Sequence, residues 1–204
     1  MTKKLNRIIY IVDDDDDFRD SIGWLLESAN QKVKSFSSAS SFLEGYDGSL
    51  GCLLLDVRMP DINGLALQQI MAERGISMPT IVISGHGDIQ MAVSAMKQGA
   101  MDFIEKPFDG DELLRLVKKA LTFTEKKYKE QTEKSRFQDL YDKLSPREVE
   151  VMNLVVTGNV NREIAETLQI SPKTVEIHRS RVMTKMQAKN IAELIRLNTL
   201  VKPK

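Results

Sequence analysis

The chain has 204 residues, 42% of them apolar and 28% charged, the composition of a soluble globular protein with room for one large domain or two smaller ones. No apolar run approaches the roughly 18 residues needed to span a bilayer. The stretch after Lys3, Lys4 and Arg7 stops at Asp13, too early for a secretory signal, and a lone cysteine, Cys52, excludes an internal disulfide framework and suits the cytoplasm. The net charge is zero, yet residues 1–121 carry 13 Lys and Arg against 18 Asp and Glu, whereas residues 122–204 carry 16 against 11. An acidic half therefore precedes a basic half suited to a polyanion.

In chain order, Ile8 to Val12 is an apolar run that meets Asp13 and Asp14. Phe18, Ile22, Leu25 and Leu26 then recur at helical steps, which predicts an amphipathic helix over 16–29. Asp15, Asp16 and Asp17 fall at its start, where carboxylates oppose the positive end of the helix dipole. Val33 to Phe36 reads as a short strand, and Ser38 or Ser40 suits the cap of a helix carrying Phe42 and Leu43. Gly51 to Asp56 is the central strand, with Cys52 as packing. Leu65 to Met71 is helical, Thr80 to Ser84 is a strand, and Ile89, Ala92, Val93 and Met96 form one helical face ending at Gly99. Phe103 to Glu105 is the last strand and Leu113 to Leu121 line the last helix of this half. Five strand–helix units with short connections predict an α/β fold, a doubly wound five-stranded parallel sheet covered on both faces.

Four of these strands end in polar residues: Asp13-Asp14, Asp56, Ser84-Gly85 and Lys106. In open parallel sheets ligands bind beyond the strand ends, so three carboxylates, a hydroxyl and an ammonium converge if the strands adjoin. Magnesium takes oxygen ligands, commonly one or two carboxylates with water and phosphate oxygens, and Asp13, Asp14 and Asp56 meet that demand. Asp56, in mid-sheet, is the expected phosphoryl acceptor, forming an acyl phosphate, with Lys106 offsetting charge and Ser84 bonding a phosphoryl oxygen. A carboxylate after one strand is often only a turn residue; four such ends together point to a site. His86 reads as a loop residue. No G-x-S-x-G or G-x-x-x-x-G-K-[ST] pattern is present, which counts against a hydrolase or a P-loop ATPase.

Residues 122–142 hold five basic and five acidic residues without Gly or Pro, and are expected to form a partly helical linker between a domain at 1–121 and another at 143–204. Ser145-Pro146-Arg147-Glu148 is a helix start with a capping box. Val149, Met152, Val155 and Val156 give that helix its apolar face, and Gly158 ends it. A short helix over Asn161–Leu168, a turn at Gln169–Ser171 and a basic helix begun by Ser171-Pro172 make a helix-turn-helix. A final helix holds Ile191, Leu194, Ile195 and Leu197. In the basic helix Val175, Val182 and Met186 face inward. Thr174, Glu176, Ile177 and Ser180 suit base edges, while Lys173, Arg179, Arg181 and Lys185 supply the outward positive charge, the last three suiting backbone contacts. His178 is expected to be packed or hydrogen-bonded locally.

Asp13-Asp14, Asp56 within Leu-Asp-Val-Arg-Met-Pro-Asp, Ser84-Gly-His-Gly-Asp and Glu105-Lys106-Pro107-Phe108 resemble the receiver domain of two-component response regulators. Ser145-Pro-Arg-Glu, Asn161-Arg-Glu-Ile-Ala and Ser171-Pro-Lys-Thr-Val-Glu-Ile-His-Arg-Ser-Arg-Val-Met resemble the output domain of LuxR-type regulators; together they are similar to the FixJ-type branch. The resemblance implies phosphorylation of Asp56 by a sensor histidine kinase. It also implies Mg2+ held by Asp13, Asp14, Asp56 and the backbone carbonyl of Arg58, with Ser84 and Lys106 sensing the phosphoryl group. Phe103 would be the switch aromatic, standing where Tyr is common, and Lys106-Pro107 a cis peptide. Promoter DNA is the implied target of the motif from Asn161 to Ser180, with RNA polymerase as a further partner and no membrane. Phosphorylation would pair the face of residues 88–98 and the Phe103 strand with a second copy, or release an inhibited output domain. Two rival readings are a magnesium-dependent phosphatase using Asp56, which gives the basic domain no task, and a phosphorylation-independent adaptor for protein partners.

Overall fold

The computed structural model describes residues 6–85 and 89–200, which fall into two compact units, one ending at Lys127 and one beginning at Tyr128. The first holds β1 (Ile8–Val12), α1 (Asp16–Ser28), β2 (Lys32–Phe36), α2 (Ala39–Gly45), β3 (Gly51–Asp56), α3 (Gly64–Glu73), β4 (Thr80–Ser84), α4 (Ile89–Lys97), β5 (Asp102–Glu105) and the start of α5 (Gly110–Tyr141). The five strands form one sheet in the order β2-β1-β3-β4-β5, every neighbouring pair parallel. This is the doubly wound architecture expected from the alternating runs.

Side chains alternate across a strand, so a run that is apolar at every position must be covered on both faces. Ile9, Ile11, Cys52, Leu54, Ile81 and Ile83 pack on Ile22 and Leu26 of α1 and on Leu113, Leu116, Val117 and Ala120 of α5. Ile8, Tyr10, Val12, Leu53 and Leu55 pack the other way, on Phe42 of α2 and on Leu67 and Met71 of α3. Gly51 is obligatory at its site, because a Cβ there would lie 1.7 Å from the Ile8 carbonyl oxygen. Cys52 sits in this core, and burial pushes its thiol pKa up to about 12, so it is inert packing.

Helix starts follow the sequence signals. Asp15 caps α1 by accepting from the Phe18 N–H, and of the two candidate serines Ser38, not Ser40, caps α2. Helix α5 runs unbroken through the segment expected to link two domains, with its residues shared between the units. Up to Lys127 it belongs to the sheet unit: Thr124 Oγ1 donates to the Gly51 carbonyl (2.8 Å), Glu125 pairs with Arg7 (2.7 Å) and Lys127 Nζ reaches Ser77 Oγ (2.7 Å).

In the second unit Phe137, Leu140 and Leu144 enter a core with Val151, Met152, Val155, Ile164, Val175, Val182, Met186, Leu194 and Leu197. Its other helices are α6 (Pro146–Val156), α7 (Asn161–Leu168), α8 (Pro172–Lys185) and α9 (Ile191–Leu200). Ser145 and Glu148 form the expected reciprocal capping box. The turn from α7 to α8 closes through Gln169, whose φ of 53° is left-handed and lets the chain reverse within three residues. No helix among the described residues is long and apolar enough to cross a membrane.

Candidate functional site

Strand order alone brings the polar strand ends together. Val12 pairs with Leu55, Asp56 with Ile83 and Ser84 with Glu105, so Asp13, Asp56, Ser84 and Lys106 occupy successive places along one rim. Lys106 Nζ lies 2.7 Å from Asp13 Oδ2 and 3.1 Å from Asp56 Oδ1. The other carboxylate oxygens are also engaged: Asp13 Oδ1 accepts from the Asp15 N–H (2.9 Å) and Asp56 Oδ2 from the Arg58 N–H (2.6 Å). Asp13, Asp56 and Ser84 are 2%, 6% and 1% exposed, so the charges meet where water screens them little. Burial raises the pKa of Asp13, against the pull of Lys106 and the Asp15 N–H. Burial alone would lower that of Lys106, but its bonds to Asp13 and Asp56 prevail and raise it.

Not every expected residue joins this cluster. Asp14 is exposed and contributes no contact to Lys106. Ser84 is in place, with its hydroxyl 3.5 Å from the Met91 sulfur on α4. Phe103 is half-buried and packs on Val57, Val82, Ala95 and Ala100. The Lys106–Pro107 peptide is cis. His86 and Asp88 lie outside the described residues.

Four contacts escaped sequence reasoning. The Lys106 ammonium stands 3.5 Å from the centre of the Phe18 ring, and Phe108 meets that ring edge-on at 6.0 Å. Met91 touches Ser84, and Arg19 Nη1 donates to the Asp13 carbonyl (2.7 Å). The helical step that marked Phe18 as apolar also puts it in the first turn after the Asp13 strand end, the one available clue.

In kind, the donors suit magnesium, being oxygens alone with two buried carboxylates, the number that ion usually takes. No three acidic, His or Cys side chains converge on one point among the described residues.

The helix-turn-helix presents Lys173, Glu176, Ile177, Ser180 and Arg181 to solvent, as the facing pattern predicts. Three expected DNA contacts are engaged within the domain instead. Thr174 is half-buried, 2.8 Å from Ser171 Oγ at the α8 cap. Arg179 bends back to α7, its Nη1 2.5 Å from Asn161 Oδ1. Lys185, expected at a phosphate, has its ammonium 2.6 Å from the buried Glu148 carboxylate and 3.2 Å from the Lys143 carbonyl. His178 is half-buried as expected, with Nδ1 unpartnered among the described residues.

A parallel sheet with acidic and basic strand ends on one rim, followed by a basic helix-turn-helix, defines a two-part regulator of gene expression. Residues 9–118 match the family described as response regulator receiver domain, and residues 142–198 that described as bacterial regulatory proteins, luxR family. The chain is 43% identical over 188 residues to the transcriptional regulatory protein TdiR of Thauera aromatica, covering 92% of this chain and 83% of that one. It is 42% identical over 190 residues to the transcriptional regulatory protein FixJ of Bradyrhizobium diazoefficiens, covering 93% of each. Among solved structures it is similar to the response regulator StyR, with a TM-score of 0.86 and 34% identity over 96% of this chain and 100% of that one. Full-length FixJ from B. japonicum gives a TM-score of 0.60 and 40% identity over 97% and 98% of the two chains. The chain belongs to the response regulators that join a receiver domain to a LuxR-type DNA-binding domain.

Proposed function

We propose that Asp56 accepts a phosphoryl group from the phosphohistidine of a sensor kinase, and that this modification governs promoter binding by the helix-turn-helix. The observation that carries the reading is the pair of buried carboxylates, Asp13 and Asp56, held on one ammonium at the carboxyl rim of the sheet. An Asp56 carboxylate oxygen bonds to phosphorus while the donor's P–N bond breaks and its electron pair stays with the imidazole nitrogen. The acyl phosphate formed is later lost to water. Residues of this chain promote both steps, Lys106 by offsetting charge and Ser84 by donating to a phosphoryl oxygen. Asp13 and Asp56, with Asp14 and the Arg58 carbonyl, would hold Mg2+, which supplies positive charge that neutralises the phosphoryl oxygens.

The acyl phosphate carries about −1.5 to −2 charges where the carboxylate carried one, which draws Ser84 away from Met91 and so acts on α4. Exposed Ile89, Val93 and Met96 give that helix an apolar outer face suited to pairing with a second copy, with the half-buried Phe103 on the neighbouring strand. Two helix-turn-helix units in such a dimer would meet half-sites about one DNA turn, ~34 Å, apart. Binding to promoter DNA, with RNA polymerase as a further partner, places the work of the protein in the cytoplasm.

DNA-site selection with and without acyl phosphate treatment in magnesium tests the reading. Inverted repeats should be enriched strongly after treatment and weakly before it; equal enrichment under both conditions would defeat it. On the selected DNA, Arg181→Ala should weaken binding tenfold or less at low salt and reduce the slope of log affinity against log salt by about one. An unchanged slope would show that α8 does not lie along the phosphates.

A further inference from the structure

Lys106 is held by more than its two carboxylates. Asp13 and Asp56 fix the ammonium from the sheet side, and the Phe18 ring covers another side at 3.5 Å from its centroid. An ammonium at that range over an aromatic face is attracted by the ring quadrupole, more strongly where water is excluded. The ring itself is braced. The Phe18 N–H is tied to the Asp15 carboxylate at 3.1 Å, and the Phe108 ring abuts the Phe18 ring edge-on at an interplanar angle of 88°. Phe108 follows Lys106 by two residues, so the strand end that delivers the lysine also delivers the brace for the ring that covers it.

We propose that Phe18 is a positioning residue for phosphoryl transfer, its ring face holding the Lys106 ammonium over the Asp13 and Asp56 carboxylates. This rests on the reading of Asp56 as acceptor. A lysine side chain has four rotatable bonds and loses much entropy when fixed. The ring limits where Nζ can go without adding a further oxygen acceptor, so the ammonium keeps its bonds for carboxylate and phosphoryl oxygens. A carboxylate at this place would also hold Nζ, but it would add negative charge where an anion must enter.

The test is the rate of phosphorylation of the full-length protein by acetyl phosphate in magnesium, followed for Phe18→Leu, for Phe18→Tyr and for a series with one, two and three fluorines on the Phe18 ring. Phe18→Leu should be about threefold to tenfold slower, Phe18→Tyr close to wild type, and the fluorinated series should slow stepwise as each fluorine drains the ring face. Fluorination hardly alters ring shape, so a merely structural role would leave that series flat. A flat series, or Phe18→Leu as fast as wild type with an intact fold, overturns the proposal. Mapping the label separates this from the parent reading: label on Asp56 with a flat series sinks only the role of Phe18, whereas label elsewhere sinks the acceptor assignment itself.

Discussion

Asp56→Asn is expected to abolish phosphoryl uptake from acetyl phosphate while leaving the fold intact. The amide is isosteric with the carboxylate but is too weak a nucleophile to form the acyl phosphate. Its one oxygen can satisfy Lys106 or the Arg58 N–H, at 3.1 and 2.6 Å from the native oxygens, but not both. The loss of one such bond is offset in part because Asp13 then has Lys106 to itself at 2.7 Å, without a neighbouring negative charge. The net change in stability should stay within about 1 kcal/mol, so a loss of labelling cannot be ascribed to unfolding. Asp13→Asn should instead slow labelling severely without ending it, because the acceptor survives. A phosphate-affinity gel on the three proteins decides the matter: undiminished label in Asp56→Asn would place the acceptor elsewhere.

The parts of this site legible in the sequence are those written in backbone order. β1, β3 and β4 are apolar at each step, and the residues that end them are polar. Parallel pairing with short connections then leaves few ways to arrange them. The adjacency of Asp13, Asp56, Ser84 and Lys106 follows from that arrangement. What could not be read are contacts that depend on which way a long side chain turns. The Phe18 ring over Lys106 and Met91 beneath Ser84 join different elements through rotamers that no periodicity encodes. The same limit applies to α8. Arg179 and Lys185 have the charge and spacing of phosphate ligands, yet each is long enough to reach a carbonyl or carboxylate oxygen on another helix. In helix α5 the mixed charges from residue 122 onward suit a helical linker, whereas the burial of Thr124, Phe137 and Leu140, in two different units, cannot be read from that charge pattern.

The Glu148–Lys185 pair makes the output domain acid-sensitive in a way that can be located. Glu148 is 2% exposed and its Oε2 accepts from Lys185 Nζ at 2.6 Å and from the Ser145 N–H at 2.8 Å, so one carboxylate ties the end of α8 to the start of α6. Lys185, then the Ser145 N–H, hold its pKa down to about 2 from an ordinary 4.5. A folded-state pKa below the unfolded one means that the unfolded chain binds the proton more readily. The contribution is therefore complete above about pH 4.5 and is lost as the pH falls toward 2. Its size should be about 2 kcal/mol, less than the full difference in pKa would give, because the lysine end remains partly in water. Amide hydrogen exchange in the full-length protein, corrected for the intrinsic effect of pH, should show protection of α6 and α8 falling through this window. Glu148→Gln should lower that protection by ~2 kcal/mol at neutral pH and remove this part of its acid dependence, since the amide keeps the cap but cannot bind or lose the proton. Wild-type protection in the glutamine variant at neutral pH would show that the ion pair contributes nothing and that the core around Val151 and Val182 holds the two helices unaided.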